Sequence, residues 1–200
     1  MTFEPGQRFG DYEVLGVLGR GGMGSVYKVR NIVSNRIEAM KLLHENLTGD
    51  AGFGERFLRE IRVLAEMKHP HIAGLLTAQR LEGRQLAMLM EFVEGESLQD
   101  LLTRQSVPLD DAIRYAYEVL DALGYAHNRG VVHRDVKPAN ILIDKQNRVH
   151  LTDFGIARGA DYQLTEAGNT VGSIHYMSPE QIRAEDLDGR SDIYAVGITL

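Results

Sequence analysis

His133-Arg134-Asp135-Val136-Lys137-Pro138-Ala139-Asn140 reads HRDVKPAN and lies between two apolar, strand-like runs, Val131-Val132 and Ile141-Leu142-Ile143. A plain join between strands needs only a short polar turn. This one carries an imidazole, a guanidinium, a carboxylate, an ammonium and an amide within eight residues. A carboxylate accepts a proton, an ammonium neutralises an anion, and an amide oxygen ligates a hard cation.

Working outward, a second carboxylate follows the strand Val149-His150-Leu151, in Asp153-Phe154-Gly155. Upstream, Pro108-Leu109-Asp110-Asp111 reads as a helix start. Ile113, Tyr117, Leu120, Leu123 and His127 then recur at helical spacing as far as Asn128-Arg129-Gly130, a helix end. Glu94-Gly95-Glu96 reads as a polar joint and divides the chain into 1–94 and 95–200.

The first part alternates apolar and polar residues over Tyr12 to Leu18 and Ser25 to Arg30; Arg36 to Leu43 reads as a third strand, and Leu75 and Leu86 to Met90 as two more. That pattern predicts an antiparallel sheet. Thr48 to Gly54 reads as a loop. Glu55 to Met67 has helical period, with Phe57, Ile61 and Leu64 on one side, and His69-Pro70 ends it.

Gly19-Arg20-Gly21-Gly22-Met23-Gly24 matches G-x-G-x-x-G. By itself it is equally a flexible hairpin turn. A dinucleotide fold would place a helix after it, whereas here a strand follows. Glycines let backbone N–H groups approach a polyphosphate closely. Lys41 is a single lysine in an apolar strand, where the ordinary fate is an edge position reaching water.

The 200 residues are 44% hydrophobic and 25% charged, which predicts a globular chain with a real core. A net charge of −6 argues against nucleic acid as a partner. There is no cysteine, so no disulfide and no thiolate metal site. No signal peptide and no membrane-spanning apolar run is visible.

HRDVKPAN matches the pattern H-R-D-x-x-x-x-N. With the glycine motif, Lys41 and Asp153 in this order, the chain from about Phe9 resembles a eukaryotic-type serine/threonine protein kinase. HRDVKPANILI and SIHYMSPEQ are most similar to the bacterial branch. The resemblance implies an α+β, protein-kinase-like bilobal fold. Its antiparallel-sheet small lobe, with one regulatory helix, would be 1–94, and its mainly helical large lobe 95–200. The large lobe would be C-terminally incomplete, since Ser191 to Leu200 resembles the start of its central helix.

The implied activity is transfer of the γ-phosphate of ATP to Ser/Thr hydroxyls of proteins. Asp135 would orient the hydroxyl and accept its proton, and Lys137 would neutralise the γ-phosphate. Asn140 and Asp153 would hold Mg2+, with Mn2+ as the alternative ion. Lys41 would bind the α- and β-phosphates, held by Glu60 rather than by Glu55 or Glu66. Leu18, Gly19, Arg20, Gly21, Gly22, Met23, Gly24, Val26, Ala39 and Leu142 would enclose ATP. Met90 would be the gatekeeper, the Glu91 C=O and Val93 N–H would read the adenine edge, and Ser97 or Asp100 would approach the ribose.

Ile156 to Glu180 resembles an activation segment. Thr165, with Thr170 second, is the expected phosphorylation site, its phosphate docking on Arg134, Arg158 and Arg56. Ser173 would bond Asp135 and Lys137 during substrate docking. His133 and Phe154 would stack with Leu64 and Leu75. Asp192 would fix the backbone near His133 and Arg134, and Arg190 is the local candidate to pair with Glu180. Protein substrates and a transient homodimer for autophosphorylation are the implied partners. The implied location is the cytoplasm, or the cytoplasmic domain of a longer membrane-anchored protein. Two other readings stay open: a truncated, inactive nucleotide-binding fragment of the same fold, and a small-molecule phosphotransferase of related fold.

Overall fold

The alternating segments form the strands of a six-stranded sheet in the order β1-β2-β3-β4-β6-β5, every pair antiparallel. Its strands are β1 Arg8–Phe9, β2 Tyr12–Gly21, β3 Gly24–Asn31, β4 Ile37–Leu43, β5 Leu75–Arg80 and β6 Leu86–Glu91. The computed structural model describes residues 3–21, 24–43, 60–80, 86–155 and 174–199. The described chain falls into two units, Met1–Glu66 with Gly74–Phe92, and Met67–Ala73 with Val93–Leu200.

In the first unit, side chains alternate across the sheet. Tyr12, Val14, Tyr27, Val29, Met40, Leu42, Ala87 and Leu89 form a buried cluster closed by Phe3. The Phe3 ring meets Tyr27 edge-on at 5.7 Å, and its N–H donates to the Tyr27 hydroxyl at 3.2 Å. β2 runs past the expected Leu18 to Gly21, because Gly19, Arg20 and Gly21 pair with Val26, Ser25 and Gly24. Residues 60–66 form a helix, here α1, with Ile61 and Leu64 buried and Glu66 exposed.

In the second unit, β7 Gly95–Ser97 pairs with β8 Ile141–Asp144, which pairs with β9 Val149–Leu151. The segment read as a polar joint is therefore partly strand. Gly95 makes this possible, since a Cβ there would lie 1.9 Å from the Ile143 carbonyl oxygen. Helix α2 Leu98–Arg104 starts at Ser97, whose Oγ accepts the Asp100 N–H at 3.1 Å. The segment Met67–Ala73 pairs with β9: the Leu151 N–H donates to His71 O at 2.8 Å, and the Ala73 N–H to Leu151 O at 3.0 Å.

Helix α3 Leu109–His127 buries Tyr115, Val119, Ala122, Leu123 and Ala126. Of the residues that recur at helical spacing, Ile113, Tyr117 and Leu120 are exposed, Tyr117 at 75%, while Leu123 is buried. The helix carries two apolar stripes, and packing against β9 and the later helix α5 uses the other one. Val131-Val132 is not a strand either. The Val131 N–H closes on Ala126 O at 3.1 Å, so this run finishes the helix end. Two helices follow, α4 Pro179–Ile182 and α5 Gly189–Thr199. No described helix is long and apolar enough to cross a membrane.

Candidate active site

The face of the first sheet opposite its buried cluster carries the residues expected to meet a nucleotide. Lys41 on β4 lies beside Val26 on β3 and Met88 on β6. Ala39, two residues earlier on the same face, lies beside Met90. Gly19 pairs with Val26, which brings the glycine segment to this group. Leu18 is half-exposed on β2, with Arg20 and Gly21 following on that strand. Glu60 is half-buried at the head of the described part of α1. Glu91 ends β6, and its carboxylate accepts the Gly74 N–H at 3.1 Å.

Gly24 differs physically from Gly19 and Gly21. A Cβ at Gly24 would lie 2.0 Å from the Leu42 carbonyl oxygen, so glycine there lets β3 and β4 approach. A Cβ at Gly19 or Gly21 meets nothing within 4 Å. The fold leaves those two positions open.

The second unit holds the loop. Pro138–Asn140 is a short 3-10 turn leading into β8. It folds the chain back so that Asn140 Nδ2 donates to Asp135 O at 2.8 Å and to Asp135 Oδ2 at 3.0 Å. Lys137 Nζ lies 3.0 Å from the same Oδ2. Two of the five chemical groups that mark HRDVKPAN, the ammonium and the amide, thus converge on a third, the carboxylate. The amide nitrogen of Asn140 is committed to Asp135, so the polar atom left to it is a carbonyl oxygen, the donor a hard cation takes.

Asp153 is tied to this turn through its neighbour. The Thr152 N–H donates to Asn140 O at 2.9 Å, and the Thr152 hydroxyl to the same oxygen at 3.2 Å. Asp153 itself adopts φ 59°. Left-handed backbone is unfavourable for a non-glycine residue by about 1 kcal/mol, and such residues cluster at functional sites. Arg134 shares the feature, with φ 66°.

His133 is fully buried and structural. Its Nδ1 accepts the Asp135 N–H at 3.2 Å, so Nε2 carries the hydrogen and donates to Thr152 O at 2.9 Å. Burial holds its pKa below the ordinary histidine value, consistent with this neutral tautomer. Its ring lies 4.5 Å from that of Phe154. One imidazole thus links the peptide of Asp135 to the strand end that leads to Asp153.

Asp192 is 1% exposed. Its Oδ2 accepts the His133 N–H at 2.8 Å, and its Oδ1 accepts the Arg134 N–H at 2.8 Å. His127 Nε2 donates to the same Oδ2 at 2.7 Å. The sequence singled out His127 only as a stripe member. Glu180 does not take Arg190 as partner. Ser191 Oγ donates to Glu180 at 2.6 Å, while Arg190 pairs with Asp188 at 2.8 Å.

The family model for the protein kinase domain matches residues 12–200. The chain belongs to the protein kinase family. This kinase domain is 40% identical over 200 residues to the serine/threonine-protein kinase PknJ of Mycobacterium tuberculosis, covering 98% of this chain and 34% of PknJ. It is 39% identical over 198 residues to PknE of the same organism, covering 98% of this chain and 35% of PknE. The crystal structure of the Mycobacterium tuberculosis PknI kinase domain superposes with a TM-score of 0.78 at 33% identity, covering 99% of this chain and 75% of that one. The fold is that of a protein kinase and the sequence lies in the bacterial serine/threonine branch. The chain spans about a third of the length of the curated relatives it matches.

The family's reaction uses ATP and a divalent metal ion. Among the described residues of this kinase domain, no three His, Cys, Asp or Glu side chains are grouped to hold a metal. A metal that keeps waters and binds substrate phosphates needs only one or two protein oxygens, so Asn140 and Asp153 fit such an ion. Val93, in the second unit, and Leu142 on β8 complete the residues expected around ATP. Gly22, Met23, Glu55, Arg56, Arg158, Thr165, Thr170 and Ser173 lie outside the described residues.

Proposed function

We propose that this chain is the ATP-dependent catalytic domain of a protein serine/threonine kinase. The observation that carries the reading is the Asp135 carboxylate, with Lys137 Nζ and Asn140 Nδ2 both 3.0 Å from its Oδ2. A carboxylate held this way keeps a fixed direction, as a positioned proton acceptor must. Asp135 orients the substrate hydroxyl and takes its proton as the oxygen attacks the γ-phosphorus. Lys137 offsets the charge on the γ-phosphate oxygens. The β–γ bridging bond breaks, ADP leaves, and the phosphoryl group ends on the hydroxyl.

Asn140 and Asp153 would hold Mg2+, with Mn2+ as an alternative, and the ion when bound neutralises phosphate charge. Lys41, oriented by Glu60, binds the α- and β-phosphates. Gly19 and Gly21 let the backbone close over the phosphates, and Val26, Ala39, Met90, Glu91, Val93 and Leu142 enclose the adenine. Thr165, then Thr170, receives a phosphate by transfer between two copies, and Ser173 aids substrate docking. Residues 1–94 and 95–200 serve as nucleotide-holding and catalytic parts, acting on proteins in the cytoplasm.

The test is transfer of labelled phosphate from ATP with Mg2+ to a generic Ser/Thr substrate, with Asp135→Asn beside wild type. Loss of signal only in Asp135→Asn supports the reading. Equal signal from both refutes the mechanism. Nucleotide binding without any transfer favours an inactive nucleotide-binding fragment.

A further inference from the structure

We infer that Gln181 is a positioning residue for this reaction, because its side-chain amide holds the Arg134 carbonyl and so fixes the peptide that carries Asp135. The inference rests on the kinase reading above. Gln181 is the third residue of α4, after the cap Ser178. Its Oε1 accepts the Ser178 N–H at 3.0 Å, and its own N–H donates to Ser178 Oγ at 3.4 Å. That reciprocal pair is a capping box, and glutamate serves at this position as well as glutamine.

Capping uses only the oxygen end of the amide. The nitrogen end does something else: Nε2 donates to Arg134 O at 2.9 Å, across a separation of 47 residues. A carboxylate cannot supply that donor.

Arg134 is where such a bond matters. It holds φ 66°, which a side chain with a Cβ rarely adopts. Asp192 holds its N–H at 2.8 Å and Gln181 holds its C=O at 2.9 Å. The carbonyl gripped by Gln181 belongs to the same peptide as the Asp135 N–H, which donates to His133 Nδ1 at 3.2 Å. Arg134, Asp135 and Gln181 also line one small opening, together with Tyr176 and Met177. Without the donor, the Arg134–Asp135 peptide loses one of the two bonds that hold Arg134 in its left-handed backbone. A shift of about 1 Å in a positioned group can slow a reaction by about a hundredfold.

Gln181→Glu separates the two roles, because it keeps the cap, removes the donor and turns a carboxylate oxygen toward the Arg134 carbonyl. In the full chain we expect a thermal midpoint within roughly 2 °C of wild type, since the capping box persists. Hydrogen exchange in the peptide covering 131–140 should rise about fivefold, with exchange in 179–185 unchanged. For a protein substrate, kcat should fall about tenfold or more, with KM for ATP unchanged. Unchanged exchange in 131–140 overturns the inference, whatever the activity. So does raised exchange with kcat within about twofold of wild type. Wild type and Asp135→Asn run alongside. If wild type transfers no phosphate, it is the kinase reading that fails, and the exchange result alone decides whether Gln181 positions the loop.

Discussion

Asp192 Oδ1 accepts the Arg134 N–H at 2.8 Å, and Arg134 stands at φ 66°. The buried carboxylate also takes the His133 N–H, so two consecutive peptides of the loop point at one side chain. Asp192→Asn keeps the shape but offers one acceptor oxygen and turns an NH2 group toward a backbone N–H. We expect a loss of about 2–4 kcal/mol in stability, because one buried N–H loses its acceptor and faces a donor in its place. Chemical denaturation gives the number. A variant as stable as wild type would show that the loop holds itself.

His127 and Gly189 form a second contact around Asp192. A Cβ at Gly189 would lie 2.5 Å from His127 Nδ1, so the His127 ring sits flush against the start of α5. Gly189→Ala should destabilise by about 1–3 kcal/mol through overpacking. Combining it with His127→Ala should cost less than the sum of the two single changes, because the smaller side chain makes room. A double-mutant cycle with no coupling would contradict the contact.

The glycines of Gly19-Arg20-Gly21-Gly22-Met23-Gly24 should divide by experiment. Gly24→Ala drives a Cβ into the Leu42 carbonyl oxygen and should lower stability by about 2–3 kcal/mol. Gly19→Ala and Gly21→Ala meet nothing within 4 Å among the described residues, so their thermal midpoints should stay near wild type. Their nucleotide affinity should fall, by several-fold in a fluorescent-nucleotide titration, if the backbone there closes on phosphates. Unchanged affinity in both would remove these glycines from the nucleotide site.

The pH dependence of stability follows from two histidines. Burial is the main cause that holds His133 and His69 below the ordinary value of 6.5. Nearby Asp192 pulls His133 back upward, and Asp121, 3.3 Å from His69, does the same there. Both take up a proton at lower pH in the folded chain than in the unfolded chain, which takes up protons near 6.5. The unfolded state binds more protons in that window, so stability is full above it and falls as pH drops below it. The thermal midpoint should decline between about pH 7.5 and 5.5, and His133→Phe should flatten part of the slope. An identical slope in that variant would show that His133 is protonated in the folded state.

Much of the site was legible in the residues because its chemistry is local. Asp135, Lys137 and Asn140 lie within one turn of chain, and a 3-10 bend is enough to bring them together. The alternating strands were legible for a similar reason, since the two-residue period writes the buried and open faces directly into the order of residues. The extent of helix α3 was legible too, but it carries two apolar stripes, and periodicity alone does not say which one packs. Gly95 read as a joint because its partner strand lies more than forty residues away, at Asp144.

By itself, the sequence determined the kind of chemistry: a carboxylate, an ammonium and an amide oxygen on one short loop, with Lys41 and Asp153 placed in order around it. The shape of that loop was decided only by the tertiary structure. Arginine does not choose a left-handed backbone on local grounds. Arg134 is kept there by Asp192 at its N–H and Gln181 at its carbonyl, residues 58 and 47 positions away along the chain. Local order can name the groups that react, but a conformation that is locally unfavourable exists only where distant parts of the fold converge to hold it.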